Sequence, residues 1–237
     1  ENALTLSERT ALLTAAIVHN AVNTPVAKPL LTAKYGKPAI RISKSYINAN
    51  IKQNVINNFE QWQQATCKGG MLDGIFRAKK EGLVKHIGFT IHDSPENVSK
   101  YIDEADWCEA ILFTYNMLNR SYEDVIAKAH EKGIATIVMN PISGGVFAQH
   151  SDVLQTTVKN AIGQADVIET AHRWLKTNKN IDTIICGIGK PSDVTTTIAN
   201  YEKPDFTPEQ MRNLNNGFEK IQNKNVGGCV DCKYCLP

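Results

Sequence analysis

The sequence lacks an excess of charge of either sign and any long apolar run. Of its 237 residues, 26 are Lys or Arg and 24 are Asp or Glu, so the formal net charge is +2. A near-neutral balance gives no reason to expect nucleic acid or an acidic surface as a partner. No apolar run approaches the about 20 residues that a membrane-spanning helix needs. No secretory signal is recognised, so we expect a globular protein in a reducing, cytoplasmic compartment.

Cysteine is sparse except at the end of the sequence. Three isolated cysteines are expected to be small buried hydrophobic residues: Cys67, Cys108 and Cys186. Three more form a C-x2-C-x2-C motif: Cys229, Cys232 and Cys235. Without a secretory signal, this close spacing predicts a metal or cluster site rather than disulfides.

From residue 70 onward, the pattern alternates between strand and helix. Apolar runs predict strands at 40–44, 83–91, 110–114, 134–139 and 182–186. Capping residues predict helices that begin after Ser94 and after Ser192, and a helix over 166–178. Thr207 to Gln210 form a capping box that opens the last helix, with Phe206 and Met211 as its hydrophobic staple. Repeated units of this size indicate a parallel α/β sheet.

The first sixty residues fit this pattern less well. Helices are predicted over 10–20, 27–35 and 51–61, and helix follows helix without a strand after Asn23 and after Gln61. A (β/α)8 barrel needs eight strands, whereas the sequence offers five clear ones.

Several motifs resemble the aldo-keto reductases, in particular the subgroup with a C-terminal [4Fe–4S] cysteine motif. Residues 79–93, KKEGLVKHIGFTIHD, resemble the fifth βα junction of that family. Tyr115-Asn116, residues 139–145 (MNPISGG) and residues 183–191 (TIICGIGKP) are similar to the ends of its next three strands. These matches occur in family order over about 70–237. The resemblance implies a (β/α)8 TIM barrel over 1–223, with segments missing from the chain, and a cysteine-rich tail over 224–237.

The resemblance also implies a reaction. Members transfer hydride between a nicotinamide cofactor, NADP or NAD, and a carbonyl or alcohol at the C-terminal end of the barrel. They use an Asp, a Tyr acid, a Lys and a His around the carbonyl. Residues 41–45 (RISKS) resemble the strand end that carries the Lys, so Lys44 would be the catalytic lysine. The Asp, Tyr and His have no matching positions.

Two explanations account for the missing positions. Either barrel strands were deleted, which would give a catalytically degenerate relative that acts as a partner or regulatory subunit, or residues are absent between 23 and 24 and between 61 and 62. We favour the second, because removing a central parallel strand leaves its neighbours without hydrogen-bond partners. Backbone continuity at these two points is the test.

The cofactor-binding positions follow from the same resemblance. The nicotinamide and pyrophosphate positions are Thr90, Met139, Asn140, Pro141 and Ile142. The adenosine positions are Gly187, Gly189, Asp193 and Thr197. Asp193 stands where family members carry Arg, and its charge would repel a 2′-phosphate.

The tail and the histidines leave alternatives open. In the resembled subgroup the cysteines hold a [4Fe–4S] cluster, which would imply an electron-transfer partner; a zinc site and a tail without metal are the alternatives. His92 follows a strand and could face the barrel end, although a satisfied polar contact is the role we expect for it. Surface positions are expected for the other histidines of this region: His86, His130, His150 and His172.

Overall fold

The computed structural model describes residues 55–83, 86–164 and 166–224. In this part of the chain, strands and helices alternate almost throughout. The strands are β1 (Val55–Ile56), β2 (Gly88–Ile91), β3 (Ala110–Thr114), β4 (Ala135–Met139) and β5 (Thr183–Ile184). The first four helices are α1 (Phe59–Thr66), α2 (Met71–Lys80), α3 (Pro95–Glu104) and α4 (Glu123–Glu131). A 3-10 segment (Ser143–Ala148) precedes α5 (Asp152–Ile162), α6 (Val167–Thr177), α7 (Pro191–Glu202) and α8 (Pro208–Lys224).

The described strands form one parallel sheet in the order β1-β2-β3-β4-β5. Each strand therefore pairs with the next one along the chain. Crossovers between parallel strands are right-handed, so an unreversed order places the connecting helices on the same face of the sheet. An open doubly wound sheet instead reverses its order and carries helices on both faces. The topology is that of an arc of a (β/α)8 barrel.

Side chains of the strands alternate between two apolar clusters. The outward side chains pack with the helices in the main core: Phe89, Ile91, Ile111, Phe113, Val138 and Ile184. The inward side chains form a smaller cluster: Ala110, Leu112, Ala135 and Ile137, with Met139 and Ile185 against it. This alternation defines an inner face that corresponds to the interior of the barrel.

Several predicted helix starts are confirmed. The Ser94 hydroxyl accepts a hydrogen bond from the Asn97 N–H at 3.3 Å. In the predicted capping box, the Gln210 N–H donates to Thr207 Oγ1 at 3.2 Å, and Gln210 Oε1 accepts from the Thr207 N–H at 2.9 Å. The predicted cap at Ser192 is wrong, because α7 begins at Pro191 after Lys190.

The region before β2 differs from expectation. The helix predicted over 51–61 is wrong at Val55–Ile56, which is a strand that pairs with Thr90 and Ile91 of β2, whereas residues 59–61 are helical and open α1. Helix α1 runs through 61–62, and the Trp62 N–H donates to the Asn58 carbonyl at 3.2 Å. Helix α1 thus spans this point, and the absence of residues between 61 and 62 stays a prediction. Residues 23–24 lie outside the described residues.

Two single-residue predictions are wrong. Cys108 and Cys186 are buried, as predicted, whereas Cys67 is exposed. His172 is buried rather than on the surface: its ring lies 5.2 Å from that of Tyr201, and Nδ1 lies 3.3 Å from the Asn200 amide nitrogen. Burial lowers the pKa of His172 to about 4, against a smaller opposing effect of Asp166.

Candidate functional site

The carboxyl ends of four parallel strands meet at one edge of the barrel arc. We call this edge the C-terminal rim; it comprises residues 92–94, 115–119, 139–145 and 186–190. In (β/α)8 barrels, catalytic and ligand-binding groups lie at this end, because the loops that follow the strands converge there.

A partly buried polar network fixes the rim after β2. The Asp93 carboxylate accepts hydrogen bonds from the Tyr101 hydroxyl at 2.5 Å, from the Ser94 N–H at 2.6 Å and from the Asn97 amide. The Tyr122 hydroxyl donates to the Asp93 carbonyl. Desolvation alone would raise the pKa of Asp93, but these donors outweigh it and hold the pKa below its usual value. Asp93 therefore holds the loop in place, and its acceptors are occupied.

The rim after β3 is organised by Asn116, a residue that is 1% exposed. Its Oδ1 accepts from the N–H groups of Leu118 at 2.9 Å and Asn119 at 3.0 Å, which closes a tight turn. Its Nδ2 donates to the Asn140 carbonyl at 3.0 Å. One carboxamide thus joins the loops after β3 and β4.

The loop after β4 contains four residues with left-handed backbone conformation. Asn140 has φ +61° and Ser143 has φ +52°, and Gly144 and Gly145 follow with +64° and +95°. A left-handed conformation is uncommon outside glycine. The Asn140 side chain stabilises the loop, since Oδ1 accepts from the Gly144 N–H. The loop therefore bonds largely to itself at the rim.

The N-terminus of α7 is closed by its own carboxylate. Asp193 Oδ2 accepts from the Gly189 N–H at 3.1 Å and from the Lys190 N–H at 3.0 Å. A helix N-terminus with free N–H groups attracts phosphates. Here a negative charge already occupies these two donors.

The structure places the predicted cofactor residues at different depths. Thr90 is buried on the inner face of β2, where it pairs with Leu112. Met139 is half-buried at the end of β4 and pairs with Thr114, one inner-face position nearer the rim. Among the rest, Pro141 is buried, Ile142 half-buried, and Asn140, Gly187 and Gly189 exposed.

Thr197 lies away from the rim residues. It is 5% exposed, on the face of α7 that also carries the buried Val194 and Asn200. His92, in contrast, is exposed at the end of β2. Lys44 and the cysteine motif, Cys229, Cys232 and Cys235, lie outside the described residues.

Sequence reasoning missed the role of Asn116 in the rim. In the sequence, Asn116 stood out only as part of the Tyr115-Asn116 motif after a buried strand, and nothing there indicated a hydrogen-bond partner. Its partner, Asn140, is 24 positions away. The paired glycines Gly144 and Gly145 were the signal that could have revealed the left-handed loop.

The part of the chain that the structure describes shows neither a metal-ligand cluster nor a membrane-spanning helix. No group of three or more His, Cys, Asp or Glu side chains is placed to hold a metal ion there. Among the helices described, none has the length and apolar character needed to cross a membrane.

Solved structures share this fold. The aldo-keto reductase AKR11C1 from Bacillus halodurans, in its holo form, matches with a TM-score of 0.59 and 16% identity over 77% of this chain and 64% of that one. Its apo form matches with a TM-score of 0.57 and 16% identity over 86% and 76%. The thermostable aldo-keto reductase Tm1743, in complex with the inhibitor epalrestat, gives 0.55 and 15% over 76% and 63%. The fold is therefore that of a (β/α)8 barrel.

The sequence defines the family. A model of the aldo/keto reductase family matches residues 70–217, well over half of the 237 residues. The chain belongs to the aldo/keto reductase family.

A curated relative matches a shorter region. The uncharacterized oxidoreductase C215.11c of Schizosaccharomyces pombe is 31% identical over 85 residues, which are 35% of this chain and 26% of the relative. The match thus spans about a quarter of that relative, and this chain spans 64% of the holo AKR11C1 chain.

Proposed function

We propose that the protein is an oxidoreductase that transfers hydride reversibly between a nicotinamide cofactor and a small carbonyl or alcohol substrate. Family membership over residues 70–217 is the observation that carries this proposal. The parallel strands also bring the residues of the C-terminal rim to the edge where barrel enzymes place their chemistry. The cofactor would supply the hydride, and the chain would bind and orient it.

The described residues fit one half of such a cofactor better than the other. Met139 offers a polarisable thioether beside the inner face, which can pack against an aromatic ring. Together with Thr90, Asn140, Pro141 and Ile142, it is our candidate contact for the nicotinamide and pyrophosphate. Gly187, Gly189, Asp193 and Thr197 are the candidates for the adenosine end.

The adenosine end carries an unfavourable charge for a phosphorylated cofactor. The Asp193 carboxylate occupies the N–H groups of Gly189 and Lys190. A second anion beside it would be repelled and would find those donors taken. We therefore propose NAD rather than NADP as the better ligand.

Lys44 is our candidate for the catalytic lysine. A lysine ammonium beside a tyrosine lowers the pKa of the phenol and so favours general-acid catalysis. This role rests on the family motif alone.

Fluorescence titration of the full chain with NADH and NADPH tests the proposal. Saturable binding of NADH, tighter than that of NADPH, would support it. Lys44→Met should then abolish carbonyl reduction and leave NADH affinity within about threefold. If neither nucleotide binds, the proposal is wrong.

The alternative is a degenerate barrel relative that acts as a partner or regulatory subunit. One observation favours it: Asn140 and Asp193 bind backbone donors at the rim that a phosphate would otherwise approach. A chain that binds neither nucleotide would support this alternative.

We further propose that Cys229, Cys232 and Cys235 bind a [4Fe–4S] cluster, with zinc as the alternative. Three thiolates at C-x2-C-x2-C spacing are the start of a ferredoxin-type ligand set. A cluster would allow exchange of single electrons with a partner. Metal analysis with a visible absorption spectrum distinguishes the candidates: iron with broad visible absorption supports a cluster, and colourless zinc supports the alternative. Cys232→Ser should remove the metal, and Cys67→Ser, at an exposed position, is the matched control.

A further inference from the structure

The contact between the β3 and β4 loops replaces a backbone ladder that has ended. The last paired residues are Thr114 and Met139, and the Tyr115 N–H still donates to the Met139 carbonyl at 3.3 Å. One residue further on, the side chain of Asn116 makes the link, to the Asn140 carbonyl at 3.0 Å.

This link acts on a residue with an unusual backbone conformation. Because Asn140 is left-handed, its carbonyl does not continue the ladder of β4. Such conformations persist only where neighbouring groups hold them. The Asn116 amide and, at 3.1 Å, the Ser143 N–H both donate to the carbonyl of Asn140, and the Gly144 N–H donates to its side chain.

The acceptor end of Asn116 is fixed as well. Its Oδ1 binds the N–H groups of Leu118 and Asn119, so the amide group cannot rotate without losing two hydrogen bonds. The Gln222 side chain donates to the Leu118 carbonyl, which attaches the same turn to α8. The turn therefore fixes the orientation of the Asn116 amide toward Asn140, and the bond from Gln222 of α8 fixes the turn.

We propose that Asn116 is a positioning residue that holds the loop 139–145 in its cofactor-binding conformation; this inference rests on the proposed function. It touches neither reactant in this proposal and acts through Asn140. Loss of its donor would leave the Asn140 carbonyl with the Ser143 N–H, a donor from within the loop, and would remove the bond that ties the left-handed conformation to the β3 loop.

Asn116→Asp is the primary test, because it keeps the acceptor and removes the donor at high pH. At pH 8 we expect NADH to bind about tenfold more weakly, the effect of about one lost buried hydrogen bond. The N–H groups of Leu118 and Asn119 favour the carboxylate over the acid, so the loss of affinity should persist from pH 8 to pH 6. A general folding defect would instead also raise the exchange rate of α4 amides.

Asn119→Asp is the matched control, since it adds the same charge in the same turn. Asn119 uses its Oδ1 to accept from Ser121 at 2.8 Å, which the substitution preserves. NADH affinity should stay within about twofold. Asn116→Ser, which is neutral and too short to reach Asn140, is the second variant should Asn116→Asp fail to fold.

Hydrogen exchange separates this inference from the proposed function. In both Asn116 variants, the amides of residues 143–147 should exchange about tenfold faster, and those of α4 should not change. Faster exchange with no NADH binding by the unaltered protein would overturn the proposed function and leave only the loop contact. Unaltered exchange, or an unchanged NADH affinity at pH 8, would overturn the inference.

Discussion

Gly88 is the position at which the sheet tolerates a side chain least. It lies on the inner face of β2 and pairs with Ala110 of β3. A Cβ atom built on Gly88 would lie 1.9 Å from the Ala110 carbonyl oxygen and 2.8 Å from its carbonyl carbon. Backbone atoms of a neighbouring strand cannot rotate away, so β2 and β3 would have to separate.

We therefore expect Gly88→Ala to destabilise the protein strongly. Overpacking of this kind costs about 1–3 kcal/mol and occasionally more; the near-complete overlap here places it at about 3 kcal/mol or above. For a chain of this size, that loss lowers the melting temperature by about 6–12 °C. Thermal unfolding followed by circular dichroism measures it.

Gly74→Ala is the matched control for this prediction. Gly74 lies inside α2, and nothing within 4 Å would meet an added Cβ. Replacing an exposed helical glycine by alanine stabilises a protein by about 0.5–1 kcal/mol. The same chemical change should therefore raise the melting temperature by about 1–4 °C. An unchanged melting temperature of Gly88→Ala would refute the reasoning.

Three further substitutions test other parts of the structure. Asp193→Asn keeps the acceptor but removes the charge, so NADPH affinity measured by titration should rise about two- to fivefold relative to NADH. Folding lowers the pKa of His172 from 6.5 to about 4, so the unfolded chain binds the proton more tightly and the protein loses stability as the pH is lowered from 6.5 to 4. His172→Gln should therefore reduce the dependence of the urea midpoint on pH in this range. Trp174→Phe loses the hydrogen bond from Nε1 to Asn215 at 2.8 Å and should cost about 1–3 kcal/mol in urea unfolding. An unchanged nucleotide preference in Asp193→Asn, an unchanged pH slope in His172→Gln or an unchanged urea midpoint in Trp174→Phe would contradict the respective prediction.

The sequence predicted those elements whose signals are local. The strand 110–114 and the cap at Ser94 depend on residues within one turn or one strand, and both are confirmed. β1 was missed because a two-residue strand carries no alternation to recognise. Helix α5, capped by Ser151, was not predicted at all.

The rim was less predictable than the strands that carry it. Its key bonds join residues that are distant in sequence, such as Asn116 to Asn140. The left-handed conformation of Ser143 follows from its neighbours rather than from its own preference. The occupation of the α7 N-terminus by Asp193 needed coordinates, although its negative charge in a phosphate-binding motif was apparent from the sequence.

The three tryptophans stand at different parts of the barrel arc. The rings of Trp62 and Trp107 lie 6.2 Å apart beside α1 and β2, whereas Trp174 stacks on Tyr115 at 5.1 Å beside the end of β3. Emission from the first pair reports on the β1–β2 side, and emission from Trp174 reports on the packing of α6. Intrinsic fluorescence can thus reveal whether the two sides of the barrel melt as one cooperative unit or in separate transitions.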